Sequence, residues 1–117
     1  MKVLNREVGR RGEEIAAGFL QRKGYELVLR NYSTRYGEID LICRGNGVIV
    51  FVEVKAKKGL KFGRPEEMFT RYKLEKVKRM ATVYLEGRDV PCRIDMVAVV
   101  LDEFNRPVEI KHYQNVT

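Results

Sequence analysis

Histidine and cysteine are scarce in this sequence of 117 residues: His112 is its one histidine, and Cys43 and Cys92 are its two cysteines. So few ligands leave no His/Cys zinc cluster and no disulfide framework. Each cysteine sits in an apolar, strand-like pattern, so both are expected as buried free thiols. His112, near the end of the chain, is expected to be structural or exposed. Also missing is any apolar run long enough to span a membrane. The opening Met1-Lys2-Val3-Leu4-Asn5-Arg6 lacks the apolar core of a secretory leader, and a cytoplasmic protein is expected. There are no internal repeats, low-complexity stretches or linkers, and the length suits one domain, 1–117, whose core needs no staples.

What the chain does have is a globular mix, 44% hydrophobic and 33% charged residues, far from a disordered composition. Lys and Arg number 23 against 16 Asp and Glu, giving a net charge of +7. That excess points to a polyanionic partner, with nucleic acid first among the candidates. Charge alone does not decide it, because many basic proteins bind no nucleic acid.

The informative stretch runs from Gly37 to Lys55. Gly37-Glu38-Ile39-Asp40-Leu41-Ile42-Cys43 and Val48-Ile49-Val50-Phe51-Val52-Glu53-Val54-Lys55 flank Asn46-Gly47, the dipeptide that favours a type I′ hairpin turn. With those two residues at the turn, Cys43 faces Val50, Leu41 faces Val52 and Ile39 faces Val54 on one apolar side. The other side pairs Ile42 with Phe51, Asp40 with Glu53 and Glu38 with Lys55. Directly opposed Cβ atoms lie roughly 5 Å apart. At an effective dielectric of about 20, two carboxylates at that distance repel by on the order of 3 kcal/mol. A divalent cation would compensate. Carboxylates on stiff strands suit Mg²⁺ or Mn²⁺, and Lys55, on Glu53's face, can neutralise a phosphate or orient a water, the chemistry of phosphodiester hydrolysis. The competing reading is a solvated Glu53–Lys55 pair beside an Asp that ends a strand.

In the rest of the chain, Val8, Ile15, Ala16, Phe19 and Leu20 recur at helical spacing before Gly24, which predicts an amphipathic helix against the sheet. Glu13 borders its apolar stripe, while Gly9 and Gly12 leave room for close backbone approach; Glu13 can equally serve a helix-dipole contact. Tyr25–Asn31 alternates as a strand that completes a three-stranded meander. Lys57, Lys58, Lys61 and Arg64 surround two glycines in a segment suited to phosphate contact or simply to solvent. Pro65 with Glu66 and Glu67 reads as a helix start and Thr70 as a second N-cap, which leaves room for a short turn before the main helix; that helix is basic and amphipathic, with Leu74, Val77, Met80, Ala81, Tyr84 and Leu85 on its apolar stripe. Arg93–Leu101 is apolar on both faces, a central strand, and a last strand is expected over 108–113.

Gly9-Arg10-Arg11-Gly12-Glu13-Glu14-Ile15-Ala16, Asn31, Gly37-Glu38-Ile39-Asp40-Leu41-Ile42, Phe51-Val52-Glu53-Val54-Lys55, Phe62-Gly63, Lys73, Tyr84-Leu85 and Arg93-Ile94-Asp95 together resemble the YraN family. These are small bacterial proteins related to PD-(D/E)XK nucleases and archaeal Holliday junction resolvases; Ile94 stands where an aromatic is usual. The resemblance implies an α/β, restriction-endonuclease-like domain with a mixed central sheet, an αβββαβ core order and flanking helices. It also implies metal held by Asp40, Glu53, the Val54 carbonyl and Glu13, with Lys55 as the catalytic lysine and Lys73 on a neighbouring phosphate. Two functions stay open: a Mg²⁺- or Mn²⁺-dependent endonuclease on DNA, branched or junction DNA included, and a nucleic-acid-binding protein of the same fold with little turnover. Resolvases act as homodimers, and nothing in the sequence marks a dimer surface.

Overall fold

A computed structural model describes residues 3–117; Met1 and Lys2, part of the opening segment read for a leader, lie outside them. The hairpin forms where Asn-Gly demands it. Strand β2 (Gly37–Gly45) turns through Asn46 (φ 52°) and Gly47 (φ 77°) into β3 (Val48–Lys58), both turn residues having the positive φ of a type I′ turn. Cys43 pairs with Val50, Ile42 with Phe51 and Leu41 with Val52, as the turn dictates.

Beyond Leu41 the ladder stops, so the expected pairs Asp40–Glu53, Ile39–Val54 and Glu38–Lys55 do not form. The cause lies on the other side of β2. Its first residues stay paired with β1 (Glu26–Thr34), Ile39 with Tyr32 and Glu38 with Ser33. The alternation also slips at Asp40: Leu41 and Cys43 pack with Val50, Val52 and Val54 on one face, whereas Ile39 joins Ile42 and Phe51 on the other. The strands therefore fork, with Asp40 at the branch.

Strand β4 (Cys92–Leu101) runs parallel to β3, and β5 (Pro107–Tyr113) antiparallel to β4, giving a mixed sheet in the order β1-β2-β3-β4-β5. Residues Ile94 to Leu101 are buried, as a central strand requires. Helix α1 (Val3–Arg22) lays Ala16, Ala17 and Leu20 on one face, against Leu41, Val52, Val97 and Val99. Helix α2 (Arg71–Leu85) lays Val77, Met80 and Ala81 on the other, against Ile39, Phe51 and Ile94. A 3₁₀ turn at Pro65–Met68 precedes α2, whose first turn is capped by Thr70 accepting from the Lys73 N–H. The αβββαβ order and mixed sheet are those of a restriction-endonuclease-like core. Cys43 is buried, but Cys92 is exposed, because it is the first residue of its strand and lies outside the packed layers.

At the end of β4 a polar network replaces apolar packing. Asp95 is fully buried and accepts from Arg93 Nε (2.9 Å), the Asn115 N–H (2.9 Å) and His112 Nε2 (2.8 Å). Lys23 Nζ donates to His112 Nδ1 (2.7 Å), which fixes the imidazole with its proton on Nε2. Arg93 also reaches the Tyr25 hydroxyl at 2.6 Å. Burial alone would raise the Asp95 pKa, but the bonds from His112, Arg93 and Asn115 outweigh it and hold it below the usual carboxylate range. Removing one partner of a buried network leaves the others desolvated and unmatched, so Asp95→Ala is expected to cost about 3 kcal/mol of stability in urea unfolding. A loss well under about 1 kcal/mol would mean that the network contributes little.

Candidate active site

The fork creates the site. Strand residues point their N–H and C=O at the same neighbour, and Val54 faces β2 just where β2 has turned away. Asp40 fills the gap: its Oδ2 accepts from the Val54 N–H at 2.8 Å, in place of the lost ladder bond. The Val54 carbonyl points toward the same gap. Glu53, 8% exposed, lies near enough to raise the Asp40 pKa and is paired with Lys55 Nζ at 3.4 Å, but it faces the α2 side of the fork and stands outside the group of acids that meet at Asp40. The expected proximity of Asp40, Glu53 and Lys55 is thus present, but through a fork rather than through a ladder pair.

Glu13 arrives from α1. A Cβ on Gly12 would stand 2.5 Å from the Ala56 Cβ, so only glycine lets the helix sit this close to β3, and Glu13 follows it to the fork. Gly9 has no such neighbour. Asn31, held at φ 50°, donates its amide to Glu13 (3.0 Å) and to Glu38 (3.4 Å), and Ser33 donates to Glu38 at 3.1 Å. Glu13, Glu38 and Asp40 each place an oxygen within 4.8 Å of the others. Glu38 and Asn31 are the residues that sequence reasoning missed in this role. Glu38 had a signal, because it alternates with Asp40 along one strand; Asn31 had one only as part of the family resemblance, since its role depends on φ and on two distant acids.

Crowding at the fork makes ionisation of its carboxyls costly. Burial, then the hydrogen bond and charge of Glu53, push the Asp40 carboxyl up to about 8, against the lowering pull of the Val54 N–H and Lys55. Glu13 is also raised, chiefly by burial. A group whose pKa is raised on folding stabilises the fold while protonated and loses that contribution as pH rises from its unfolded value through its folded one. The metal-free protein is therefore expected to lose stability between about pH 4 and about pH 8, with a slope of at most about 1.4 kcal/mol per pH unit from Asp40. Urea midpoints across that range check it, and a flat profile would contradict it. The donors are all hard oxygens, and their mutual repulsion is what Mg²⁺ or Mn²⁺ would relieve, so the residues fit such an ion.

The cations divide into three groups. A cavity of about 650 Å³ on the α1 side is lined by Glu13, Asp40, Val54, Lys55, Lys57, Lys58 and Phe62, among others. A recess of about 150 Å³ on the α2 side is lined by Glu38, Glu53, Lys55, Lys73 and Lys76. Lys55 belongs to both, and burial followed by the charge of Lys55 lowers the Lys73 pKa. Lys61 does not line the cavity, but its Nζ lies 5.5 Å from the centre of the ring of Phe62, which does. Arg64 is not brought to the cavity: it is bound to Glu109 and lies 3.5 Å from Glu66. Its partner Glu109 is on the last strand, which local sequence could not reveal.

Comparison with known proteins matches residues 12–99 to the model of "Uncharacterised protein family UPF0102". A UPF0102 protein of Syntrophomonas wolfei is 44% identical over 103 residues, covering 86% of this chain and 90% of that one. One of Nocardia farcinica is 44% identical over 112 residues, 93% and 87% of the two chains. One of Neisseria meningitidis is 43% identical over 117 residues, 97% of each.

Proposed function

We propose a function for this chain, which belongs to uncharacterised protein family UPF0102, the YraN family: it is a divalent-metal-dependent endonuclease that hydrolyses phosphodiester bonds in DNA, branched or junction DNA included. The observation that carries this is the convergence of Glu13, Glu38 and Asp40 at a strand fork, with the Glu53–Lys55 pair beside it. Asp40, Glu53, Glu13 and the Val54 carbonyl would hold Mg²⁺ or Mn²⁺. When bound, such an ion supplies neutralisation of phosphate charge and acidification of water.

The chain's own residues do the rest. Lys55, shared by both recesses, orients the attacking water and stabilises the charge that grows on the phosphate oxygens as one ester P–O bond breaks. Lys73 holds a neighbouring phosphate. Lys57 and Lys58 track the backbone along the larger cavity, with Lys61 beside Phe62 as a further phosphate contact. Asn31 fixes the two outer carboxylates so that they do not need to reorganise during the reaction.

A binding protein with little turnover is the second reading, favoured by one observation. Asp40 already has a structural partner in the Val54 N–H, so its position is explained without a metal. Labelled junction, flap, duplex and single-stranded DNA, incubated with Mg²⁺, Mn²⁺ or chelator, separate the two. The endonuclease gives metal-dependent, chelator-sensitive products. Binding whose affinity falls with salt, by roughly 0.7 to 0.9 log units per decade for each phosphate neutralised, but without product, establishes the binding module instead.

A further inference from the structure

We infer that Phe62 is a stacking platform for an unpaired base beside the scissile phosphate, and that the enzyme accordingly takes DNA with unpaired nucleotides at the cut and discriminates against intact duplex. This rests on the proposed function and names the substrate class of the same site.

Phe62 is 84% exposed, the most exposed of the chain's described large hydrophobic side chains. Its exposure is built in. Gly59 (φ 65°) and Gly63 (φ 102°) bracket the turn with backbone conformations that other residues resist. The Gly63 N–H closes the turn on the Leu60 carbonyl (3.2 Å), and the Gly59 N–H ties its start to the Leu101 carbonyl (2.9 Å). Lys57 Nζ clamps the Phe62 carbonyl at 2.7 Å, and the Arg64 N–H donates to Glu67 at 2.8 Å just beyond. A ring fixed in water by this many backbone ties is not a core side chain that failed to pack.

What surrounds the ring decides its partner. It lines the cavity that also holds Asp40 and Lys55, and the neighbouring side chains there include Lys57 and Lys58, with Lys61 against the ring. An apolar protein partner would have to bury these ammonium groups. A nucleotide instead gives its phosphates to the lysines and the face of its base to the ring, the pairing of aromatic and cation by which single strands are held. Bases inside a duplex are already stacked on their neighbours, so only an unpaired or extruded base can reach Phe62.

The test measures binding of a single-stranded oligonucleotide carrying 2-aminopurine, and of its fully paired duplex, to the wild type, Phe62→Ala and Phe62→Tyr, in chelator so that nothing is cut. Expected are tighter binding of the single strand, quenching of 2-aminopurine, and loss of both in Phe62→Ala. That loss is on the order of tenfold in affinity, with duplex binding unchanged and Phe62→Tyr close to wild type. Equal effects on single strand and duplex, no effect on either, or a protein dimer that dissociates on Phe62→Ala would overturn the inference while leaving the endonuclease intact. If the wild type binds neither DNA at low salt, the proposed function falls and this inference with it.

Discussion

Asp40→Asn is expected to lower metal-dependent cleavage by on the order of 10³-fold or more while leaving the metal-free fold as stable as before or more so. The two effects have separate causes. Asn keeps an oxygen to accept from the Val54 N–H, the 2.8 Å bond that holds the fork, and it removes a carboxyl that burial and Glu53 make costly to ionise. Near pH 8, where that cost is largest, the variant gains most; near pH 4, close to the carboxyl's ordinary value, little of that cost has built up and the variant comes close to the wild type. On the proposed function, cleavage is expected to fall because an anionic metal ligand is lost, and with it the charge stabilisation that the metal would supply. Urea unfolding at both pH values and single-turnover cleavage check this. A strong loss of metal-free stability would mean that the Asp40 carboxylate is a structural element, and that the crowding of acids is compensated without a cation.

Lys55→Ala is expected to cut turnover by about 100-fold, the loss typical of removing one electrostatic stabiliser. Metal affinity should hold, and nucleic-acid binding should weaken only modestly. Lys55 sits 3.4 Å from Glu53, with most of its side chain buried between the two recesses, so its charge is delivered to one place. Lys57 and Lys58 line only the larger cavity and Lys73 only the smaller recess. The same change at Lys57 should therefore show mainly in affinity and in the salt slope. Turnover numbers and salt-dependent binding for the two variants make the comparison, and equal kinetic losses at Lys55 and Lys57 would remove the special role of Lys55.

The fold was legible wherever a local rule decides it. Asn46-Gly47 set the turn and, through it, the register from Cys43 to Leu41; Pro65 and Thr70 marked the 3₁₀ turn and the start of α2. Period two then failed at one residue. The pairing of Ile39 with Tyr32 and the positive φ of Asn31 belong to β1, and they carry β2 away from β3 at Asp40. No pattern within the hairpin announces that. The same holds for the site. Alternation along β3 places Lys55 beside Glu53, whereas Asp40 comes near them only through the fork, and Gly12 correctly foretold the close approach of α1 that brings in Glu13. Arg64 looked free in sequence because Glu109, which holds it, is a long-range neighbour. His112, expected as structural or exposed, is structural because Lys23 and Asp95 meet it from elements distant in sequence.

Titration of the metal-free protein with Mn²⁺, read by the electron paramagnetic resonance of the free ion, tests most directly whether the acids at the fork form a metal site. The expected result is saturable binding by the wild type that tightens by up to about tenfold per pH unit as pH rises toward about 8, where Asp40 gives up its proton, and that is lost in Asp40→Asn. Binding of equal strength in wild type and Asp40→Asn, or no saturable binding by the wild type, would contradict it.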